Sequence, residues 1–258
     1  MEDPRLVLDV FARDRDVHPY GIADVQQLWD VSRWWVAGDA VAGRIDLPGS
    51  HVPVVYAVAA RDPAATLDLL AELQAAGVLA DHYVVTGPRG LTARLRGVRR
   101  PRWSTDYVKM ALRHLDRLPA ADVEVDVLGR DDLPALRTLY ATDATPGTFF
   151  HDALVDTGCY VGLRDGDRIV ASAGVHVVDR VNGVAALGNV LTAAGHRGRG
   201  LGRRVTATLC RRLLAQVDTV GLNVAADNTA AHRLYAGLGF VDVLPYEEAE
   251  LVSDSALA

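Results

Sequence analysis

The stretch that decides the fold is Gly188–Arg203, GNVLTAAGHRGRGLGR, which sets Gly198, Gly200 and Gly202 between an apolar run and an amphipathic one. Glycines at alternate positions let backbone N–H groups crowd around an anion without interference from Cβ atoms. A helix starting there adds the positive end of its dipole, so a phosphate or pyrophosphate is the expected guest. The two commoner phosphate loops do not fit. No GK[ST] follows, and the glycines do not read GxGxxG with an acidic residue about 20 positions further on.

Downstream, Leu201, Val205, Leu209 and Leu213 recur every four residues while Arg203, Arg204, Arg211 and Arg212 occupy other faces, as in an amphipathic helix. Thr219–Val224 reads as a short buried strand, Thr229–Leu238 as a helix stopped by Gly239, and Phe240–Leu251 as one or two closing strands. Upstream, Asp165-Gly166 and Asn182-Gly183 suit tight hairpin turns, so Cys159–Arg164, Arg168–Val178 and Val184–Thr192 are three antiparallel strands. Before them, Asp122–Leu128 alternates as a strand, and Asp132-Leu133-Pro134 opens a helix running through Tyr140. A second short helix is expected over Thr148–Asp156, after the breaker Pro146-Gly147. The order of this half is β-α-α-β-β-β-α-β-α-β.

The spacing Arg197-x-x-Gly200-x-Gly202, entering an amphipathic helix and followed by Asn228, Tyr235 and Leu238-Gly239-Phe240, resembles the acyl-CoA-binding core of the GNAT superfamily of N-acetyltransferases. The resemblance covers about Val123–Leu251, with its specific motifs within Gly188–Phe240. It implies an α+β fold with a mixed sheet, acetyl-CoA as the acyl donor, and transfer of the acetyl group to a primary amine. It places backbone pairing with the pantetheine arm on Val190, Leu191 and Thr192. The pyrophosphate falls to the loop of Arg197, Gly198, Arg199, Gly200, Leu201 and Gly202, with Arg203. The resemblance further implies a side-chain contact to the cofactor from Asn228 and the role of general acid for Tyr235. A tyrosine hydroxyl beside a nascent thiolate, whose free pKa is about 8.5, is a sensible proton donor.

Two departures stand out. Related sequences often carry proline where this chain reads Thr192-Ala193-Ala194-Gly195, and some carry a glutamate base before the position of Asn228 where this chain has Asn223. A neutral amide takes no proton at pH 7. The base is therefore unassigned, with an ordered water chain or His176 as candidates. The alternative function is a non-catalytic CoA-binding sensor or scaffold that keeps the loop without the chemistry.

The N-terminal half repeats the later part of the same order more faintly. Trp34–Ile45 and His51–Ala60 read as strands, Ala64–Ala76 as a helix, His82–Thr86 as a strand, Leu91–Arg96 as a short helix and Trp103–Arg113 as a strand. The expected division lies in the polar stretch Arg117–Asp122, giving a degenerate GNAT-like domain over residues 1–118 and a GNAT domain over residues 122–252. At the position equivalent to the phosphate loop, the first half reads Ala59-Ala60-Arg61-Asp62-Pro63-Ala64. It has no glycine, and its acid would repel pyrophosphate, so this half is not expected to bind CoA. Its expected role is to shape the acceptor cleft or an interface, with Trp29, Trp34 and Trp35 as packing candidates.

Composition narrows the partners. The 33 acidic and 27 basic residues of the 258 leave a net charge of -6, which disfavours general affinity for nucleic acid or an anionic membrane. The opening MEDPRLVLDV lacks a basic n-region, and the longest apolar run, Val52–Ala60, is far short of the roughly 20 residues of a spanning helix, so a cytoplasmic protein is expected. Cys159 and Cys210 are too few for a disulfide scaffold, and no HxxxH or HExxH pattern supports a metal. The expected partners are acetyl-CoA and an amine acceptor, either a small molecule or a protein, with a homodimer left open. The acceptor pocket is expected from segments between Tyr140 and Tyr160.

Overall fold

The structure is a computed structural model that describes residues 3–142 and 150–253. The elements run α1 (Pro4–Ala12), α2 (Pro19–Gln27), β1 (Ser32–Ala37), β2 (Ala40–Ile45), β3 (Val54–Tyr56), α3 (Pro63–Ala75), β4 (His82–Pro88), α4 (Leu91–Arg94) and β5 (Arg100–Leu112). They continue through β6 (Asp126–Val127), α5 (Leu133–Thr142), β7 (Val161–Asp165), β8 (Arg168–Asp179), β9 (Val184–Thr192), α6 (Leu201–Leu213), β10 (Thr219–Ala225), α7 (Thr229–Gly237) and β11 (Phe240–Val252). The chain divides into two compact units. One takes the chain up to Lys109 with Val224–Asn228 and the segment from Asp242 onward; the other takes Met110–Asn223 and Thr229–Val241.

In the first unit, the stretch expected as one strand, Trp34–Ile45, is a hairpin. β1 and β2 pair antiparallel from Ser32↔Ile45 to Ala37↔Ala40, and Gly38 turns the chain at φ +65°. β3 is shorter than the expected His51–Ala60 and lies parallel to β4, with Val54↔Val84 and Tyr56↔Thr86 in register. α3 starts where Pro63 fixes φ and Asp62 caps it, its carboxylate accepting from the Ala65 amide at 2.9 Å. The helix buries Leu70 and Leu73 against Val55, Tyr83 and Val85. β11 reaches this unit from the far end of the sequence and pairs antiparallel with β4, Tyr246↔Pro88 to Val252↔His82. Trp34 is an ordinary core residue, fully buried edge-on to Phe11, with its indole N–H given to Ser32 Oγ at 2.8 Å.

The same unit buries Lys109, the only lysine of the sequence, which is 2% exposed. Its ammonium lies 4.8 Å from the ring centroid of Tyr246, 5.1 Å from Tyr20 and 5.9 Å from Tyr56. Ring faces and the nearby carboxylates of Glu248 and Asp24 take the place of water around that charge.

In the second unit, β7, β8 and β9 form the expected meander, turning at Gly166 and Gly183 with positive φ, and β10 runs parallel to β9. α5 lays Leu136, Leu139 and Tyr140 on Tyr160, Ile169 and Leu191. The expected strand Asp122–Leu128 contracts to β6. The breaker Pro146-Gly147 and the start of the helix expected at Thr148 lie outside the described residues; Asp152–Thr157 is a 3₁₀ helix. Among the described residues, no helix is long and apolar enough to cross a membrane.

Candidate active site

β9 leaves its parallel neighbour part-way along. The register with β10 runs from Thr219↔Val184 to Leu222↔Leu187, and Gly188–Thr192 lies beyond it. On its other side β9 stays paired with β8, through two irregularities. Between Ser172↔Leu191 and Gly174↔Gly188, β8 advances two residues and β9 three; between Val175↔Leu187 and Val177↔Ala186, β8 advances two and β9 one. The first irregularity puts an extra residue on β9 at Asn189–Val190, the second an extra residue on β8 at His176. Bulges of this kind turn side chains out of the regular alternation and concentrate beside active sites.

Asn189 is the only non-glycine described with positive φ, +54°. Asparagine tolerates that conformation better than other side-chain-bearing residues, and here buried hydrogen bonds fix it. Asn189 Nδ2 donates to the Tyr160 hydroxyl at 2.7 Å. The Tyr140 hydroxyl donates to the Asn189 carbonyl at 2.7 Å and lies 3.2 Å from Ser172 Oγ. The Asn189 side chain also hydrogen-bonds the His176 ring. Burial pushes the Tyr160 hydroxyl up to about 12 and Tyr140 well above its ordinary range, so both stay protonated at neutral pH. Burial drives the His176 ring below its ordinary value. None of Asn189, Tyr140 or Tyr160 was singled out from the sequence; the adjacency Gly188-Asn189 was the available signal.

Past Thr192 the chain enters the glycine loop. Gly198 and Gly200 take φ of +77° and +76°, with open space where a Cβ would stand, so backbone conformation rather than crowding calls for glycine. Gly200 is the residue before α6. Successive amides around left-handed residues form an anion-binding concavity, and the α6 N-terminus closes it. Arg197 and Arg199 brace the loop by donating to the carbonyls of Thr192 and Gly195, each at 3.2 Å. Arg203 reaches the Gly237 carbonyl at 3.0 Å, whereas Arg204 is engaged by Asp122 and Glu124. Leu201 and Gly202 form the first turn of α6, and a Cβ on Gly202 would press on Leu234 and Thr192.

Tyr235 sits on α7, buried edge-on to Phe240 with ring centroids 5.9 Å apart. Burial raises its pKa well above the ordinary value, which keeps the hydroxyl a donor at neutral pH. Asn228 is exposed immediately before α7, its amide donating to the Ala225 carbonyl at 2.9 Å. Cys210 is buried in α6 with its thiol pushed up to about 12 by burial, which keeps it from acting as a nucleophile. Among the described residues, no group of three or more His, Cys, Asp or Glu side chains could hold a metal. A cavity of about 260 Å³ lies beside α5, lined by Pro134, Thr138, Thr142, Asp167, Arg168 and Ala193.

The sequence model of the acetyltransferase (GNAT) family matches residues 129–240, the span holding the bulged strand, the loop and Tyr235. Residues 129–240 form a GNAT-like domain. Solved structures agree on the GNAT fold, and the likeness extends beyond this domain. A GNAT-family protein from Novosphingobium aromaticivorans is 22% identical with a TM-score of 0.62, over 98% of this chain and 100% of that one. A GNAT-family acetyltransferase from Colwellia psychrerythraea is 14% identical with a TM-score of 0.57, over 97% of each chain. A tandem GNAT protein from the clavulanic acid biosynthesis pathway is 14% identical with a TM-score of 0.54, over 97% of this chain and 94% of that one. No match was found among curated proteins. In the GNAT domain, β9 runs beyond its β10 register into the Gly198–Gly202 loop and the α6 N-terminus, and α7 supplies a buried hydroxyl.

Proposed function

We propose that the GNAT domain moves an acetyl group from acetyl-CoA to a primary amine by direct attack within a ternary complex. The observation that carries this reading is the continuity of Gly188–Thr192, beyond the β10 register, with a loop in which Gly198 and Gly200 take φ above +70° at the start of α6. The pantetheine arm pairs with the backbone of Val190, Leu191 and Thr192. The pyrophosphate lies on the amides of Gly198–Gly202, with Arg197, Arg199 and Arg203 around it and Asn228 as a further contact. Holding both reactants in line supplies on the order of 7–11 kcal/mol of the barrier reduction without a covalent intermediate. A backbone N–H near Leu191 polarises the thioester, and Tyr235 protonates the departing sulfur.

In the N-terminal unit, the segment equivalent to the loop holds Asp62 as a helix cap. A carboxylate there opposes pyrophosphate, which supports a degenerate GNAT-like copy without its own CoA site. Calorimetric titration with acetyl-CoA tests the reading, with Gly200→Glu as the comparison. Saturable binding is expected in the native protein and loss of it in the variant; no binding to the native protein overturns it.

A further inference from the structure

Residues 94–103 read RLRGVRRPRW, with Arg94, Arg96, Arg99, Arg100 and Arg102 and no acid, in a chain whose net charge is -6. The proposed acetyl transfer gives this stretch no role. It lies in the first unit, where it ends α4 and runs into β5. Together with the last turns of α3, Arg94–Arg99 lines a groove of about 450 Å³, larger than the cavity beside α5. That volume lies in the range of small-molecule sites. The frame around it is tied down. Glu247 accepts from the Gly90 N–H at 3.1 Å and from Thr92 Oγ1 at 2.5 Å, and the Leu95 carbonyl takes the amides of Val98 and Arg99.

The groove combines basic and apolar side chains. Arg94, Arg96 and Arg99 line it together. Arg96 is exposed, and no carboxylate pairs with it among the described residues. Arg94 gives Nη2 to Asp68 at 2.9 Å, which takes one of the five N–H groups of its guanidinium. Arg99 is buried, while its carboxylate partner at 3.3 Å, Asp81, is mostly exposed and therefore screened. The groove thus keeps a positive potential. The C-terminal end of α3 opposes an anion by about half a charge, less than the charge of Arg96 alone. Gln74 adds a donor, since its Oε1 accepts from the Tyr83 hydroxyl at 3.0 Å and Nε2 is the group left to offer. Ala71, Ala75, Leu95 and Val98 supply the apolar lining, and Val98 is 54% exposed.

We infer that this groove binds a phosphate monoester carried on an apolar body. The acetyl-CoA reading concerns the other unit, so the inference does not rest on it. A phosphate monoester has three terminal oxygens and about two charges, enough to face two guanidinium groups at once, whereas a carboxylate fills a single fork. Arg94 and Arg96 supply two such groups on one groove. The lining of Ala71, Ala75 and Val98 offers contact to an apolar body and nothing to bare phosphate.

The test is calorimetric titration of the full chain with phenyl phosphate, inorganic phosphate and benzoate, in the native protein and in Arg96→Glu and Val98→Ser. Both side chains are exposed, so neither variant disturbs the core. Saturable binding is expected, with phenyl phosphate at least about threefold tighter than inorganic phosphate or benzoate. Arg96→Glu should weaken both phosphates at least about tenfold, as loss of a charge-assisted pair implies. Val98→Ser should weaken phenyl phosphate alone, about threefold. Absence of saturable phenyl phosphate binding overturns the inference. Binding that Arg96→Glu leaves unchanged overturns it too, because the anion then sits elsewhere, such as on the Gly198–Gly202 loop. Benzoate bound as tightly as phenyl phosphate overturns the choice of phosphate, and inorganic phosphate bound as tightly overturns the apolar body. A DNA oligonucleotide that binds at physiological salt and is released by Arg96→Glu, where phenyl phosphate does not bind, reassigns the groove to nucleic acid and overturns the small-molecule site.

Discussion

The side-chain amide of Asn189 donates to the Tyr160 hydroxyl at 2.7 Å from a backbone held at φ +54°. A single residue thereby ties the bulge of the strand proposed to hold pantetheine to the buried core under α5. Asn189→Gly keeps the backbone conformation and removes the side-chain bonds, for an expected loss of about 1–2 kcal/mol. Asn189→Val adds β-branched strain and strands the Tyr160 hydroxyl, for an expected loss of roughly 2–4 kcal/mol. Urea denaturation of the pair checks the order, and equal losses would show that backbone conformation is not at stake.

Gly239 and Gly198 both take positive φ but in different surroundings. A Cβ on Gly239 would stand 2.2 Å from the His114 carbonyl oxygen, whereas one on Gly198 meets nothing within 4 Å. Gly198→Ala should cost about 1–2 kcal/mol, the left-handed penalty alone. Gly239→Ala should cost about 3 kcal/mol or more, because backbone must also move. Thermal unfolding of both variants separates the two contributions.

Burial holds the Lys109 ammonium down to about 8, against the pull of Glu248 and Asp24. The unfolded chain, with an ordinary lysine near 10.4, binds more protons between these values, so folded stability contributed by this site rises as pH climbs through that window. Relative to Lys109→Met, the native protein should gain about 1–2 kcal/mol from pH 7.5 to pH 9.5, from a slope of at most about 1.4 kcal/mol per pH unit. Urea midpoints of both proteins at the two pH values measure this, and a constant difference between them would refute it.

Tyr235 is buried beside Phe240 and holds its proton at neutral pH. Tyr235→Phe keeps the ring and removes the donor, so acetyl-CoA affinity should stay within about twofold while turnover falls about 10²–10⁴-fold. Single-turnover rates beside calorimetric Kd values make the comparison. Unaltered turnover would take Tyr235 out of the mechanism.

The sequence by itself determined the features that depend on neighbours along the chain. The meander was legible because Asp165-Gly166 and Asn182-Gly183 suit only tight turns, and both Gly166 and Gly183 take positive φ. The loop was legible because Gly198 and Gly200 need a conformation that other residues avoid, and α6 because its leucines and valine repeat on one face. The Gly38 turn within Trp34–Ile45 was equally local, but continuous apolar character on both sides masked it.

Only the tertiary structure decided what depends on strand register. Whether His176 lies on a regular strand or in a bulge follows from its pairing with a strand that follows the next turn, and no local propensity encodes that offset. The burial of Asn189 between Tyr160 and Tyr140 likewise joins residues up to 49 positions apart. The pairing of β11 with β4 joins Leu251 to Tyr83 across the length of the chain. Periodicity reports which face of an element is apolar. Which partner covers that face is set by packing, and that is where the bulged pairing of β8 with β9 and the buried bonds of Asn189 came into view.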